Sequence, residues 1–159
     1  MEFKSQLRNI FKKYNIEFSE DQIALLHEFH TNMIKYNEIH NLTRIVSDED
    51  AIIKHYLDCI LPVNIFKNDK KVIDIGCGGG FPSVPLKIMN KSLDFTAIDS
   101  VNKKTNFVIL MKNHLNLANF NVIHTRIEDL AHNLEYREKY DYAISRAVAP
   151  LNTIIEYSA

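Results

Sequence analysis

All four glycines of this 159-residue chain lie within five positions, in the segment Gly76-Cys77-Gly78-Gly79-Gly80. Glycine adopts backbone conformations that other residues avoid and lets other groups approach the main chain closely, so the cluster predicts a tight loop around a ligand. A short apolar run, 72–75, precedes the loop and predicts a buried parallel strand. The proline-started apolar segment after the loop predicts a helix. A strand, a glycine loop and a helix N-terminus together predict a nucleotide-type site.

The spacing of the glycines separates two kinds of nucleotide-like ligand. A dinucleotide fingerprint needs a third glycine at position 81, where this chain has Phe81. Asp74 lies two residues before the first glycine, where its charge would oppose a pyrophosphate. S-adenosylmethionine instead carries an ammonium and a sulfonium, which a carboxylate attracts. The pattern, formed by Asp74, Gly76, Gly78 and Gly80, resembles motif I of class I methyltransferases; the alternative is that the glycines only make a tight turn.

The rest of the chain predicts an α/β fold in two parts. Helical spacing and capping signals predict three N-terminal helices, over 3–13, from an N-cap at Ser19 to about Tyr36, and from a cap at Ser47 to about Leu61. Four strands, 72–75, 93–98, 121–124 and 140–144, then alternate with helices, of which the first spans 81–89 and a further one starts near Pro150. We therefore predict an N-terminal helical cap, 1–66, and a Rossmann-like core, 67–159. A doubly wound sheet extends on both sides of its first strand, so we expect further C-terminal strands that are missing from this core.

Composition limits the possible partners and location of the protein but does not indicate its function. The formal net charge is −1, which gives no global electrostatic reason to expect a nucleic-acid partner, so such a partner must use local patches. The small lysine groups at 67–71 and 103–104 favour solvated surface positions. No apolar run approaches the ~20 residues of a membrane span, so we predict a cytoplasmic protein without membrane contact. We also expect a monomer. Cys59 and Cys77 lack metal-site spacing, and we predict no metal.

Two segments after the loop supply further candidate cofactor contacts. Asp99 ends the second predicted strand, where a carboxylate can accept both hydroxyls of an adenosine ribose; the alternative is that it caps the next helix. After the third strand, Ile127 can pack on an adenine ring and Glu128 can bind its exocyclic amine. The acids of this segment are equally explained by a helix N-terminus, whose dipole attracts them.

The end of the fourth strand, 144–150, narrows the acceptor chemistry. It contains neither the N-P-P-Y or D-P-P-Y turn of amide and adenine-amine methyltransferases nor the P-C nucleophile of pyrimidine-carbon enzymes. We therefore expect an acceptor atom that is already nucleophilic at neutral pH. His55 and Asp58, one helical turn apart, could couple as a base and its orienter, or form a surface pair or a buried hydrogen bond.

Between Asn41 and Val148 the residues resemble the ribosomal small-subunit methyltransferase G family, the glucose-inhibited division protein B group. The matching segments are Asn41-Leu42-Thr43-x-Ile45, His55-x-Leu57-Asp58, Asp74-Ile75-Gly76-x-Gly78-x-Gly80-Phe81-Pro82-x-Val84-Pro85-Leu86, Asp99-Ser100-x-x-Lys103-Lys104, Arg126-x-Glu128 and Ser145-Arg146-Ala147-x-Ala149. The chain departs from the usual family pattern at Cys77, Ser83, Thr125 and Ile127.

The resemblance implies transfer of a methyl group from S-adenosylmethionine to ring nitrogen 7 of a guanine in 16S ribosomal RNA, presented as RNA or as a small-subunit particle. The cofactor contacts that it implies are Asp74, Gly76, Gly78, Gly80, Phe81, Asp99, Ser100, Ile127, Glu128 and Arg146. Arg146 and Arg126 are assigned to a cofactor carboxylate, ring oxygen or phosphate, because a bidentate arginine on the guanine edge would occupy the nitrogen to be methylated. Asn41, Thr43, His55 and Arg126 are implied as candidates for the lining of the substrate site.

Three other functions remain open at this stage. The near-neutral charge favours a methyltransferase acting on a protein or small molecule. The missing strands favour a non-catalytic module that binds RNA or the ribosome. A nicotinamide enzyme is disfavoured by Phe81 and Asp74.

Overall fold

The N-terminal third of the chain is helical, as predicted. The computed structural model describes residues 2–44 and 47–146. Helix α1 spans Phe3–Lys13 and α2 spans Glu20–His40. After a non-helical segment comes a third helical run, in which three pieces join without a break: α3, Asp48–Ala51, a π-helix, Ile52–Leu57, and α4, Asp58–Ile60. A short 3-10 turn, Val63–Ile65, leads to the sheet.

Helix α2 begins where its capping signal predicts but ends later. The Gln22 N–H donates to Ser19 Oγ (3.2 Å) and the Ser19 N–H donates to Gln22 Oε1 (2.8 Å), which confirms the capping box. The predicted break near Asn37 is wrong. Asn37 is buried within the helix, and its side-chain oxygen accepts from the Thr43 N–H (2.8 Å), so an apparent helix breaker instead fixes the segment after the helix.

The four predicted strands form one parallel sheet. Strand β1 spans Lys71–Ile75, β2 Asp94–Asp99, β3 Phe120–His124 and β4 Tyr142–Ser145. Their order in the sheet is β3-β2-β1-β4, so β1 lies in the interior and the chain changes direction across the sheet there. Ligands of such sheets bind at the carboxyl ends of the strands beside this change of direction.

Three helices follow the first three strands. They are α5, Ser83–Met89, α6, Asn102–His114, and α7, Ile127–Ala131. Helix α5 begins two residues later than predicted, because the turn that carries the glycines continues through Pro82: the Phe81 N–H donates back to the Cys77 carbonyl (3.1 Å). The helix start predicted near Pro150 lies outside the described residues.

One large hydrophobic core joins the N-terminal helices to the sheet. The Phe29 ring of α2 lies 6.4 Å from the Tyr56 ring, 5.2 Å from Phe81 and 6.1 Å from Phe107, centroid to centroid. A smaller cluster on the other face of the sheet contains Ile73, Ile75, Ile98 and Leu130. The division into a cap and a core at residue 66 stays a prediction, but buried residues from both parts pack in the same cluster. In the described ranges no helix combines the length and apolarity that a membrane span requires.

Candidate functional site

A cleft of about 640 Å³ opens at the carboxyl edge of the sheet, next to the change of strand direction. Its walls come from the glycine loop, the ends of β2 and β4, the segment that starts α7, and two N-terminal segments. The sequence-predicted residues on its walls are Thr43, His55, Gly76, Gly78, Phe81, Asp99, Ser100, Arg126, Ile127, Glu128 and Arg146. The fold therefore gathers most of the candidate cofactor and substrate residues around one cavity.

Three predicted residues do not line the cleft. Asn41 ends α2 in the left-handed conformation (φ 49°), a position that asparagine tolerates, and its N–H donates to the Asn37 carbonyl. Gly80 (φ +93°) packs against buried Val84 and Phe29. Asn41, Gly80 and Asp74 therefore lie outside the cleft lining, and their predicted contacts with a ligand stay predictions.

Asp74 lies behind the glycine loop and is fully buried. The Ser83 N–H donates to its Oδ2 (3.3 Å), so the carboxyl group ties the first residue of α5 to β1. Its Oδ1 has no hydrogen-bond partner in the described structure. Burial, followed by the nearby Asp99 charge, raises the pKa of Asp74 to about 7. Asp74 is predicted to attract a cationic ligand; its buried position behind the loop places the loop between the carboxyl group and the cleft.

Asp99 connects the glycine loop to the end of β2. The Gly78 N–H donates to its Oδ2 (2.9 Å), and the Val101 N–H donates to its Oδ1 (2.8 Å). Val101 is the residue before α6, and its side chain does not cap that helix, so the Asp99 carboxylate orders the turn before α6 rather than capping the helix itself. The carboxylate also borders the cleft, which keeps the predicted ribose contact geometrically open.

The glycine loop is hydrogen-bonded to β2 on one side and open to the cleft on the other. The Gly76 and Cys77 N–H groups both donate to the Ile98 carbonyl (2.9 Å each), which anchors the loop to β2. Gly78 (φ +54°) faces open space, since a Cβ built there would meet no atom within 4 Å. A ligand can therefore approach the main chain closely at Gly78.

A cluster of polar side chains around Arg146 forms the opposite wall. Its Nη1 donates to the Lys54 carbonyl (3.1 Å) and to Cys59 Sγ (3.3 Å). Its Nη2 lies 2.6 Å from His55 Nδ1, and its guanidinium carbon lies 5.6 Å from the centre of the Phe81 ring. The Lys54 carbonyl belongs to the π-helix, a helical irregularity that often occurs at functional sites.

The contacts of His55 define its protonation. A guanidinium can only donate, so His55 Nδ1 is the acceptor and the proton of the neutral ring is on Nε2, which lies 3.0 Å from Thr43 Oγ1. Burial, followed by the Arg146 charge, lowers the pKa of His55 to about 4. The alternative in which His55 and Asp58 form a base and orienter is wrong, because Asp58 Oδ2 instead lies 3.7 Å from Arg146 Nη1. His55 does form buried hydrogen bonds, but its partners are Arg146 and Thr43 and not Asp58.

The segment before α7 closes the cleft beside β2. The Thr125 N–H donates to the Asp99 carbonyl (3.1 Å), and Arg126 precedes the first helical residue, Ile127. Glu128 lies in the first turn of the helix as well as on the cleft wall, so both explanations of this acid fit its position. Its contact with an adenine stays a prediction.

Sequence patterns missed several wall residues. Met33 lies on α2, and nothing in its local sequence marks it as facing a site. Leu42 lies between Asn41 and Thr43, so the resemblance of that segment was the available signal. Lys104 was assigned to the solvated surface but is half-buried and lines the cleft, which corrects that assignment. The position of Lys104 in the family-like segment Asp99-Ser100-x-x-Lys103-Lys104 could have indicated that it lies at the site. In residues 2–44 and 47–146 there is no cluster of three side chains suited to hold a metal ion.

Known structures share this architecture. Coclaurine N-methyltransferase, solved with N-methylheliamine and SAH, superposes with a TM-score of 0.55 at 17% identity, over 98% of this chain and 51% of that one. TehB from Haemophilus influenzae gives a TM-score of 0.52 at 23% identity, over 79% of this chain and 40% of that one. At these identities the likeness shows the fold, a class I methyltransferase sheet with a helical N-terminal part, as predicted.

Sequence comparisons identify the family, which the structural comparisons do not. The family model GidB, rRNA small subunit methyltransferase G, matches residues 22–159. "Ribosomal RNA small subunit methyltransferase G" of Alkaliphilus oremlandii is 39% identical over 99% of this chain, which spans 66% of that protein. The protein of the same name from Oenococcus oeni is 39% identical over 98% of this chain, which spans 64% of it. The chain therefore belongs to the GidB family, that of rRNA small subunit methyltransferase G.

Proposed function

We propose that the protein transfers a methyl group from S-adenosylmethionine to ring nitrogen 7 of a guanine in 16S ribosomal RNA, with the RNA or the small ribosomal subunit particle as its partner. The observation that carries the proposal is the convergence, on one cleft of a chain in this family, of the open glycine at Gly78, the strand-end carboxylate of Asp99 and the anchored Arg146. The residues present fit the cofactor. The cleft volume, about 640 Å³, is within the range of roughly 300–1,000 Å³ that ligand sites occupy.

The charges of the cleft match a ligand that carries both signs. Asp99 and Glu128 supply carboxylates, and Lys104, Arg126 and Arg146 supply cations on the walls. Asp99 can accept ribose hydroxyls, because its two oxygens, which accept from the Gly78 and Val101 N–H groups, retain further lone pairs. Ser100 and Ile127 extend this wall, and the three cations are available to a carboxylate or to RNA phosphates.

The proposed reaction requires the protein to align the two reactants, and it does not require a side chain that transfers a proton. When bound, S-adenosylmethionine supplies a methyl group whose carbon–sulfur bond breaks, with the electron pair remaining on sulfur, as the bond to the guanine nitrogen forms. That nitrogen has an in-plane lone pair and no proton, so no side chain has to act as a base. The neutral state of His55, with Nδ1 already accepting from Arg146, is consistent with that requirement. Correct alignment of reactants can lower a barrier by several kcal/mol, up to roughly 7–11 in ideal cases.

A pair of substitutions on β2 tests the proposal. Asp99→Asn keeps the shape but places an amide NH₂ against one of two N–H donors, and we expect affinity for S-adenosylmethionine to fall about tenfold to hundredfold, the usual range for a lost hydrogen bond to a charged group. Asp94→Asn is the matched control, because Asp94 begins the same strand at the opposite edge of the sheet.

The readouts are calorimetry with S-adenosylmethionine and transfer of a labelled methyl group to small-subunit particles that lack the modification, followed by mapping of the methylated base. Absence of transfer to the RNA would exclude the proposed acceptor. Equal binding by the Asp99→Asn and wild-type proteins would exclude the proposed cofactor contact.

A further inference from the structure

His55 occupies a position between the helical part and the cleft that the proposed chemistry leaves unexplained. Its ring is 5% exposed and stacks on Phe81, with centroids 4.4 Å apart and planes inclined by 12°. Both ring nitrogens have partners, Arg146 Nη2 at 2.6 Å and Thr43 Oγ1 at 3.0 Å. The ring therefore has a fixed orientation and no nitrogen left to act on a substrate.

We propose that His55 is a positioning residue that acts through Arg146. Its unprotonated Nδ1 accepts from the guanidinium, while the same ring and the guanidinium both lie against the Phe81 face. Since a guanidinium on a flexible side chain has many rotamers, this acceptor selects the one that keeps Arg146 on the cleft wall. The inference rests on the proposed function for its catalytic consequence, but the structural coupling of the two residues can be measured without it.

The other contacts of Arg146 show why one more acceptor matters. Its Nη1 has a backbone carbonyl and a thiol sulfur as partners, and sulfur is a weak acceptor. Asp58, the nearest carboxylate at 3.7 Å, is largely exposed, and solvent screens such a pair. The Lys54 carbonyl therefore holds Nη1, and His55 Nδ1 is the buried side-chain acceptor that fixes Nη2, with the Phe81 ring beside both groups.

Two substitutions at His55 separate positioning from packing. Leucine fills most of the space but removes both hydrogen bonds. Asparagine keeps an acceptor, because its Oδ1 stands at the same number of bonds from the main chain as Nδ1. We expect His55→Leu to lower kcat/KM for methyl transfer about tenfold to hundredfold, and His55→Asn to recover most of that loss.

His30 provides the matched control. It is also 5% exposed, its ring stacks on Phe3 at 4.1 Å, and its Nε2 lies 3.1 Å from Asp48 Oδ1, but it does not line the cleft. His30→Leu should lower the unfolding midpoint without changing kcat/KM of the folded protein. An equal loss of kcat/KM in His30→Leu and His55→Leu would show that general destabilisation explains the effect, and would overturn the proposal.

A double-mutant cycle tests whether His55 acts through Arg146. In the background of Arg146→Lys, which removes the planar fork, His55→Leu should cost less than about threefold, because coupled residues are not additive. The same factor in both backgrounds would overturn the proposal.

Nuclear magnetic resonance can detect the hydrogen bond between His55 and Arg146 without measuring activity. We expect a ¹⁵N pattern for a neutral His55 protonated at Nε2, and a protected Arg146 side-chain N–H resonance that is kept in His55→Asn and lost in His55→Leu. If the wild type transfers no methyl group but these signals are present, the proposed function fails while the coupling stands. If the Arg146 resonance is unchanged in His55→Leu, the positioning role fails whatever the activity.

Discussion

Gly78 and Gly80 are two residues apart, and the structure gives them different roles that alanine substitution can separate. At Gly80 the backbone has φ +93°, and an added Cβ would lie 2.8 Å from Val84 Cγ2 and 3.4 Å from the Phe29 ring, both buried. Backbone strain of this kind costs about 1–3 kcal/mol, and overpacking a core costs about 1–3 kcal/mol more. Gly80→Ala should therefore destabilise the fold by roughly 2–6 kcal/mol.

At Gly78 the backbone has φ +54°, close to the left-handed region that other residues enter at a cost of about 1–2 kcal/mol. An added Cβ meets nothing within 4 Å there and extends into the cleft. We therefore expect Gly78→Ala to lower stability only by that amount, and to weaken S-adenosylmethionine binding because the methyl group occupies the space in which the ligand approaches the loop.

Thermal and urea unfolding of the two variants, with calorimetric titration of S-adenosylmethionine, measure both effects. For a chain of this length, 1 kcal/mol corresponds to a shift in Tm of about 2–4 °C. Gly80→Ala should show the larger shift in Tm and Gly78→Ala the larger loss of affinity per folded molecule. Equal stabilities, or a Gly78→Ala protein that binds as tightly as the wild type, would refute the assignment of one glycine to packing and the other to ligand approach.

Two further predictions concern buried charge and helix capping. The pKa of Asp74 is raised to about 7 from its usual value of 3.8, so the folded state binds more protons than the unfolded state between these values, and the wild type loses stability as pH rises through that window. Asp74→Asn should remove this loss, which is on the order of 2–4 kcal/mol. In urea unfolding, the difference in stability between the variant and the wild type should grow from about pH 4 to about pH 8, and a constant difference would contradict the assignment. Ser19→Ala removes the acceptor for the Gln22 N–H and should cost about 1 kcal/mol, a Tm shift of about 2–4 °C, whereas the exposed neighbour substitution Asp21→Ala should cost less.

The parts of the site that the sequence predicted are those set by local chain geometry. The glycines follow a strand directly, and Asp99 ends the next strand in a parallel sheet, so the register of β1 with β2, in which Ile75 pairs with Ile98, brings the loop and the carboxylate together. A pattern of alternating strands and helices is enough to predict this proximity. The capping box at Ser19 could also be predicted, because its two residues are only three positions apart in the sequence.

The parts that the sequence did not predict depend on contacts between distant segments. His55 and Arg146 are 91 positions apart, and their pairing follows from the packing of the π-helical run against the end of β4. Met33 reaches the glycine loop because α2 lies across it, so closely that a Cβ at Gly79 would be 2.8 Å from Met33 Cε. The burial of Asp74 is likewise a property of the assembled core, since a strand-end carboxylate can face either a ligand or the next helix.

Phe81 shows how one departure from a fingerprint determines the shape of the site. In the dinucleotide pattern the third glycine allows close packing of helix on strand. Here Gly80, one position earlier, provides the close approach, since only a residue without a Cβ fits beside Val84. Position 81 is then available for a ring, which contacts Phe29 and Tyr56 on its core side and carries His55 and Arg146 on its cleft side. The aromatic residue that makes a dinucleotide ligand unfavourable therefore also joins the N-terminal helices to the cleft, so that the helical part forms a wall of the site.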